Sequence, residues 1–209
     1  GGGGRGRRQA RLAPADETQP ALDIRPTAGA VVVEELGVRT AAQAVRLDGF
    51  GHTLRGLDVR GGGIEVVGEG HLLERVSVRR SGGICIAVDA PDVTIRQTRL
   101  NRCGGDGLLA RAPRLTLDRL LVQGARGAGI TIQSDDNQLT RNRSIGNHGT
   151  GLQLVGSRST LTGNRVLRNR SGGLVVQGCN VDGGGNRAAG NRGGPNRDFE
   201  NCPAALAPR

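Results

Sequence analysis

The stretch TRNRSIGNHGTGLQL, residues 140–154, returns 22 residues later as TGNRVLRNRSGGLVV, residues 162–176. Asn142 matches Asn164, Asn147 matches Asn169, and Gly151 matches Gly173. A fixed period of this length marks a repeat architecture. Each unit is too small to bury its own apolar face and must stack on its neighbours.

Working outward, each unit contains a Gly followed by alternating aliphatics: Gly63-Ile64, Gly83-Ile84, Gly107-Leu108, Gly129-Ile130, Gly151-Leu152 and Gly173-Leu174, at intervals of 20, 24, 22, 22 and 22 residues. A second column holds Ile95, Leu117, Leu139 and Leu161. A third holds Leu100, Val122 and Val166, with Ser144 as the exception. Aliphatics alternate with polar or small residues, which is strand periodicity, and no window carries a capped helical stripe. The reading is an all-β parallel solenoid whose coils of about 22 residues stack roughly 4.8 Å apart, so that equal positions form ladders. Asn142, Asn164 and Asn186 form one expected ladder, and Asn147, Asn169 and Asn191 a second. Stacked amides can donate and accept along the stack. Asn also tolerates the left-handed backbone of a sharp corner, and the recurring Gly is expected to supply another permissive corner.

Composition agrees with a stack of thin layers. The 209 residues include no Trp, Tyr or Met, and only Phe50 and Phe199 are aromatic, so Leu, Val and Ile must supply the core. Net charge is +10, almost all from Arg, which suits a polyanionic partner or an Arg-rich solvated surface. Without aromatic platforms, neutral-sugar stacking and single-strand nucleic-acid binding lose weight. An acidic polysaccharide read by Arg and Asn does not, and nucleic acid is not the expected partner. No apolar run reaches the roughly 20 residues of a membrane span. The opening GGGGRGRRQ, without Met, reads as a processed or trimmed end.

The run DNQLTRNRSIGNHGTGLQLVGSRSTLTGNRVLRNRSGGLVVQG, residues 136–178, resembles the right-handed parallel β-helix repeats of pectate-lyase-like and NosD-like proteins. The resemblance covers roughly residues 45–200 and implies a right-handed single-stranded parallel β-helix of about seven coils. It says little of function, since such proteins include polysaccharide lyases, hydrolases, uronan epimerases, tailspikes, adhesins and periplasmic accessory proteins. The expected organisation is a flexible Gly/Arg-rich leader over residues 1–20, an N-terminal cap over 21–45 containing the strand-like GAVVVEEL, the β-helix over 46–195, and a C-terminal cap or tail over 196–209.

Two columns carry charge. Arg99, Arg143, Arg165 and Arg187 align, broken by Leu121, and Arg126, His148, Arg170 and Arg192 align beside them. Guanidinium forks bind carboxylates and sulfates at two points. Arg126, Arg170, Arg192, Arg143 and Arg165 are therefore the expected substrate-binding residues, the alternative being a solvated corner. Candidate catalytic groups are fewer. His148 is one, because histidine as a residue type titrates near neutrality, and Asp135-Asp136 is the adjacent carboxylate pair of the central coils, though it also fits an ordinary corner. The outward positions after the recurring Gly read Glu65, Cys85, Leu109, Thr131, Gln153 and Val175, an apolar surface for a lyase. Neither the DPHD-type motif of alginate epimerases nor a GHG motif is present. No CxxC or calcium-binding carboxylate cluster appears, so no metal or cofactor is expected. Cys179 and Cys202, about one repeat apart, are either a disulfide closing the C-terminal end or two unrelated small residues; the first implies an oxidising compartment. The leading expectation is a secreted, periplasmic or envelope protein that binds an acidic polysaccharide; whether it is an enzyme stays open, and if it is, a lyase or C5-epimerase acting on uronans is expected. The competing one is a non-enzymatic structural or interaction solenoid.

Overall fold

The computed structural model describes residues 10–12, 19–26, 29–40 and 43–201. Strands of mostly three residues repeat in a fixed order and pair in parallel with the equivalent strands one coil away, forming three ladders. Sheet A has nine strands and runs from Ala10–Leu12 and Leu36–Arg39 to Arg165–Leu167 and Arg187–Ala189. Sheet B runs from Leu22–Ile24 to Arg197–Asn201, and sheet C from Val32–Glu34 to Thr160–Thr162. The long strand Gly172–Asp182 joins B and C in the last coil. The chain is an all-β, right-handed parallel solenoid of about eight turns with roughly 22 residues per turn.

The strands form because inward positions are aliphatic in every coil. Leu54, Leu73, Ile95, Leu117, Leu139 and Leu161 fill sheet C's inner column, and all are fully buried. Val59, Val78, Leu100, Val122, Ser144 and Val166 fill that of sheet A. Ser144 breaks the column without leaving a polar orphan. Its Oγ donates to the Gly151 carbonyl (2.6 Å) and accepts from Asn147 Nδ2 (2.9 Å).

The pairing corrects the expected register at one coil. Ile86, not Ile84, pairs with Ile64 and Leu108, so equivalent positions in sheet B fall at 64, 86, 108, 130, 152 and 174 with no 20- or 24-residue irregularity. The outward residue of that coil is therefore Ala87, and Cys85 is buried in the column otherwise held by Gly63, Gly107, Gly129, Gly151 and Gly173. The local pattern misled because Gly83-Ile84 imitates a strand start inside a longer corner.

Two conformational expectations are also corrected. None of those column glycines has a positive φ, and neither do the ladder asparagines. The left-handed residue is the one before each ladder Asn: Arg141, Gly163 and Gly185 between sheets C and A, and Gly146, Arg168 and Gly190 between A and B. The Asn itself is not left-handed, and its side chain turns inward to accept from the backbone of the neighbouring coil. The column glycine is required by space: a Cβ on Gly129 would lie 2.6 Å from Asn147 Nδ2.

Within residues 1–20, read as a leader, Ala10–Leu12 form a strand on sheet A. Val32–Glu34 realise the strand expected in GAVVVEEL, and the segment 21–45 already contributes to all three ladders. At the other end Arg197–Asn201 extend sheet B, with Phe199 against the core. The proposed Cys179–Cys202 pairing involves Cys202, which lies outside the described residues. The described disulfide joins Cys85 and Cys103, 18 residues apart.

Candidate functional site

Both expected Asn ladders are built. Leu120 N donates to Asn142 Oδ1, Asn142 N to Asn164 Oδ1 and Asn164 N to Asn186 Oδ1, at 2.9–3.0 Å. At the A/B corner Ala125, Asn147 and Asn169 donate likewise to Asn147, Asn169 and Asn191, and Asn196 closes the series onto Asn191. These asparagines are architectural. A third ladder at the B/C corner was not read from the sequence. Leu115 N donates to Asn137, Asn137 N to Ser159, and Ser159 N to Asn180. Its residue types change along the column, so matching by identity could not find it.

In the N-terminal coils histidine continues that third ladder. Val31 N donates to His52 Nδ1 (2.9 Å) and His52 N to His71 Nδ1 (3.2 Å). Because each Nδ1 accepts, each Nε2 carries the proton and donates to a carbonyl, Asp48 O at 3.0 Å and Val67 O at 2.8 Å. The rings stack with centroids 5.3 Å apart and are buried. Burial first, and the neighbouring His52 second, push the His71 pKa down.

The candidate site is set by where cations lack partners. On sheets B and C and at the corner between them, every described arginine is in an ion pair: Arg25, Arg46, Arg55, Arg96, Arg111, Arg114, Arg158 and Arg197. On sheet A and its corners, Arg60 and Arg79 pair with Asp58 and Arg141 with Asp118, but whole rows do not pair. Arg99, Arg143, Arg165 and Arg187 stand on the outward column in register, interrupted by Leu121. Arg126, His148, Arg170 and Arg192 stack at the A/B corner through consecutive backbone bonds to Cys103, Ala125, Asn147 and Asn169. Arg80, Arg102 and Arg168 join that corner from the left-handed position. None of the arginines in these rows has a carboxylate partner among the described residues. Side chains of Arg80, Arg102, Arg126 and His148 line one cleft of about 380 Å³; Arg168, Arg170 and Arg192 line another of about 530 Å³.

His148 sits in this row with a defined tautomer. Its Nδ1 lies 3.2 Å from the Ala125 carbonyl, which can only accept, so Nδ1 carries a proton and Nε2 is the ring nitrogen left for a ligand. Asp135 and Asp136 are elsewhere. They occupy the B/C corner, across sheet B from the A/B corner that carries His148. Arg158 holds both, with Nε to Asp136 Oδ1 at 2.7 Å and Nη2 to Asp135 Oδ2 at 3.1 Å. Asp136 is a left-handed corner residue, and the Arg158 hydrogen bond holds its carboxyl below the usual range. A general acid working near neutrality needs the opposite shift. The structure therefore brings the expected substrate-binding arginines and His148 together and leaves the aspartate pair out. Sequence reading missed Arg80, Arg102 and Arg168, because their column alternates with Gly124, Gly146 and Gly190 and the shared feature is backbone conformation. Among the described residues no three His, Cys, Asp or Glu side chains converge to hold a metal, and no helix is long and apolar enough to cross a membrane.

Residues 43–196 match the family described as "Right handed beta helix region". A search of curated proteins finds no match. Among solved structures, the A-module of the mannuronan C-5 epimerase AlgE4 of Azotobacter vinelandii superposes with a TM-score of 0.68 at 16% identity, covering 89% of this chain. This chain spans 61% of that module, and at such identity the likeness is one of fold.

Proposed function

Since the chain belongs to the right-handed β-helix family, we propose that it binds an acidic polysaccharide along sheet A and the A/B corner, with the polymer running parallel to the solenoid axis. The observation that carries this reading is the segregation of charge. Arginines on B, C and their shared corner are neutralised by aspartate and glutamate, while Arg99, Arg126, Arg143, Arg165, Arg170, Arg187 and Arg192 have no carboxylate partner among the described residues. Neighbouring cations one coil apart repel by about 1 kcal/mol even in a water-like dielectric. A polymer bearing an anion every few ångströms relieves that repulsion and gains two-point guanidinium contacts. The structural neighbour is named for its action on mannuronan, a polysaccharide, which agrees in ligand class.

Proton transfer at the same site is a second reading, carried by His148. In the neutral ring its Nε2 is the basic nitrogen, and the residue stands between Arg126 and Arg170 in the row. Arginines that neutralise a uronate carboxylate acidify the adjacent C–H, and such a base could remove that proton in β-elimination or C5 epimerisation. The competing non-enzymatic solenoid keeps the stripe without chemistry.

The deciding experiment is a salt-dependent binding screen against polygalacturonate, alginate, heparin and neutral dextran, with absorbance followed near 235 nm. Binding to a uronan that weakens with salt supports the stripe. Rising absorbance adds a lyase that His148→Ala should silence. No binding at low salt overturns the proposal.

A further inference from the structure

Among the described strands, the corner between sheets A and B is at its shortest in one coil. Between the strands Asp58–Arg60 and Ile64–Val66 it is only residues 61–63, all glycine. In the next coil, between Ser77–Arg79 and Ile86–Val88, it spans residues 80–85, and that length persists to the following coil. The longer corner overhangs the shorter one and leaves a cleft of about 410 Å³ at the step. That volume is within the range of small-ligand sites, roughly 300–1,000 Å³.

The overhang is built to stay in place. Ser81, itself buried, donates from Oγ to the Ile84 carbonyl (3.0 Å) and accepts from Gly83 N. The Cys85–Cys103 disulfide anchors the end of the same loop to the coil behind it. Below, Gly63 has no room for a side chain, because a Cβ there would run into the Ile84 carbonyl.

Two glycines of the overhang have no such reason. Neither Gly82 nor Gly83 has a positive φ, and a Cβ on either would meet nothing within 4 Å. Glycine at such positions costs conformational entropy for no structural return. Both line the cleft, where the absence of side chains keeps it open and lets a ligand approach the backbone. One carboxylate faces the same space. Glu65 takes Gln43 Nε2 (2.6 Å) and the more distant Arg46 (3.9 Å) on Oε2, which leaves Oε1 as an acceptor.

The cleft adjoins the arginine-lined one, since Ser81 and Gly82 line both. The surface is therefore cationic along Arg126, Arg102 and Arg80, and beside Arg80 lies a pocket whose charged lining residue is Glu65. A carboxylate rejects another anion and accepts from hydroxyls. We propose that this step holds the hydroxyl-rich, uncharged face of the terminal sugar of an acidic glycan whose charged body lies on Arg80, Arg102 and Arg126, an assignment that rests on the polyanion reading above.

The test compares short uronate oligosaccharides of defined length with the corresponding long polymer, by calorimetry at low salt, for the wild type, Gly83→Leu, Glu65→Gln and Arg126→Ala. Gly83→Leu fills the cleft without touching the core. It should leave the melting temperature unchanged, weaken the oligosaccharide by about tenfold or more, and leave the polymer, which binds by its body, within about twofold. Glu65→Gln keeps the shape and should weaken the oligosaccharide by a similar factor; it decides the matter if Gly83→Leu proves unstable. Arg126→Ala should weaken both ligands. Unchanged oligosaccharide affinity in Gly83→Leu and Glu65→Gln, with loss in Arg126→Ala, overturns the end pocket and leaves the stripe standing. No wild-type binding, or no effect of Arg126→Ala, overturns the stripe and the pocket with it.

Discussion

At the scale of single residues, the same side chain serves different ends depending on its column. Asn164 is fully buried and joins three coils: its Oδ1 accepts from Asn142 N and Nδ2, and its Nδ2 donates to the Leu139 carbonyl (2.8 Å) and to Asn186 Oδ1 (3.0 Å). Asn164→Ala orphans buried backbone groups on both sides, and denaturant unfolding should show a loss of roughly 3 kcal/mol. Asn164→Asp, which keeps the acceptor but removes the donor and buries charge, should be no better. Arg168 provides the contrast. It is exposed, left-handed at φ 57°, and has Gly146 and Gly190 as its column neighbours. Arg168→Gly removes a cation while relieving a backbone penalty of about 1 kcal/mol. Its melting temperature should hold or rise while uronan affinity falls. A matching fall in stability would mean that the guanidinium is structural.

At the scale of elements, corners rather than strands differ along the solenoid. All three corner columns first take up asparagine in the same coil, at Asn142 after Leu57, Val76, Thr98 and Leu120, at Asn147 after Ser81, Cys103 and Ala125, and at Asn137 after Val93 and Leu115, although Thr98, His52 and His71 already accept a backbone N–H in earlier coils. The disulfide belongs to this series. Cys85 occupies the glycine column and Cys103 the asparagine column, the relation that Gly129 has to Asn147 and Gly151 to Asn169. Losing the crosslink, as in Cys85→Ser with Cys103→Ser, should cost about 3 kcal/mol for a loop of this length. Cys85→Gly with Cys103→Asn, which imports the later coils' solution, should recover part of that loss in the same melt. The His52–His71 rung adds a pH dependence. Each Nδ1 must be unprotonated to accept its backbone N–H, and the His71 pKa is depressed, so the unfolded chain takes up the proton first. This contribution is complete above the unfolded pKa of about 6.5 and is lost as pH falls through the folded value. Asp48 opposes the shift, and His52 and burial favour it. Unfolding midpoints measured between pH 7.5 and 5 should fall, and His71→Asn, which keeps an acceptor without a titrating ring, should flatten the curve.

At the scale of the whole molecule, the solenoid separates a neutralised side from a cationic one. Carboxylates such as Asp89, Asp92, Asp135 and Asp136 reach across one coil to Arg111, Arg114 and Arg158, which ties neighbouring coils together on the side away from the stripe. Such exposed pairs contribute little individually. The unpaired rows on sheet A have no such relief, and their self-repulsion is screened by salt over about 10 Å at 0.1 M. Thermal stability should therefore rise from low to moderate ionic strength, and a bound polyanion should raise it further in proportion to ligand excess over Kd. A melting temperature that falls with added salt would indicate that surface ion pairs dominate instead.

Periodicity alone determined the solenoid, its coil length and the two ladders of like residues, because a stack of equal coils turns sequence spacing directly into contact. It also placed Arg126, His148, Arg170 and Arg192 in one row, since their column repeats without a gap. What it could not supply was anything that depends on backbone state or on a change of coil length. The third ladder's column holds His, Val, Leu, Asn and Ser in turn, so no residue identity marks it. The left-handed arginines share a φ angle with glycine and nothing in side-chain chemistry. The Cys85–Cys103 bridge stayed hidden behind a two-residue shift of register. The separation of Asp135 and Asp136 from His148, and the cleft over residues 61–63, exist only once the corners have been folded. The tertiary structure decides those features because a corner's direction and length are set by the coils above and below it.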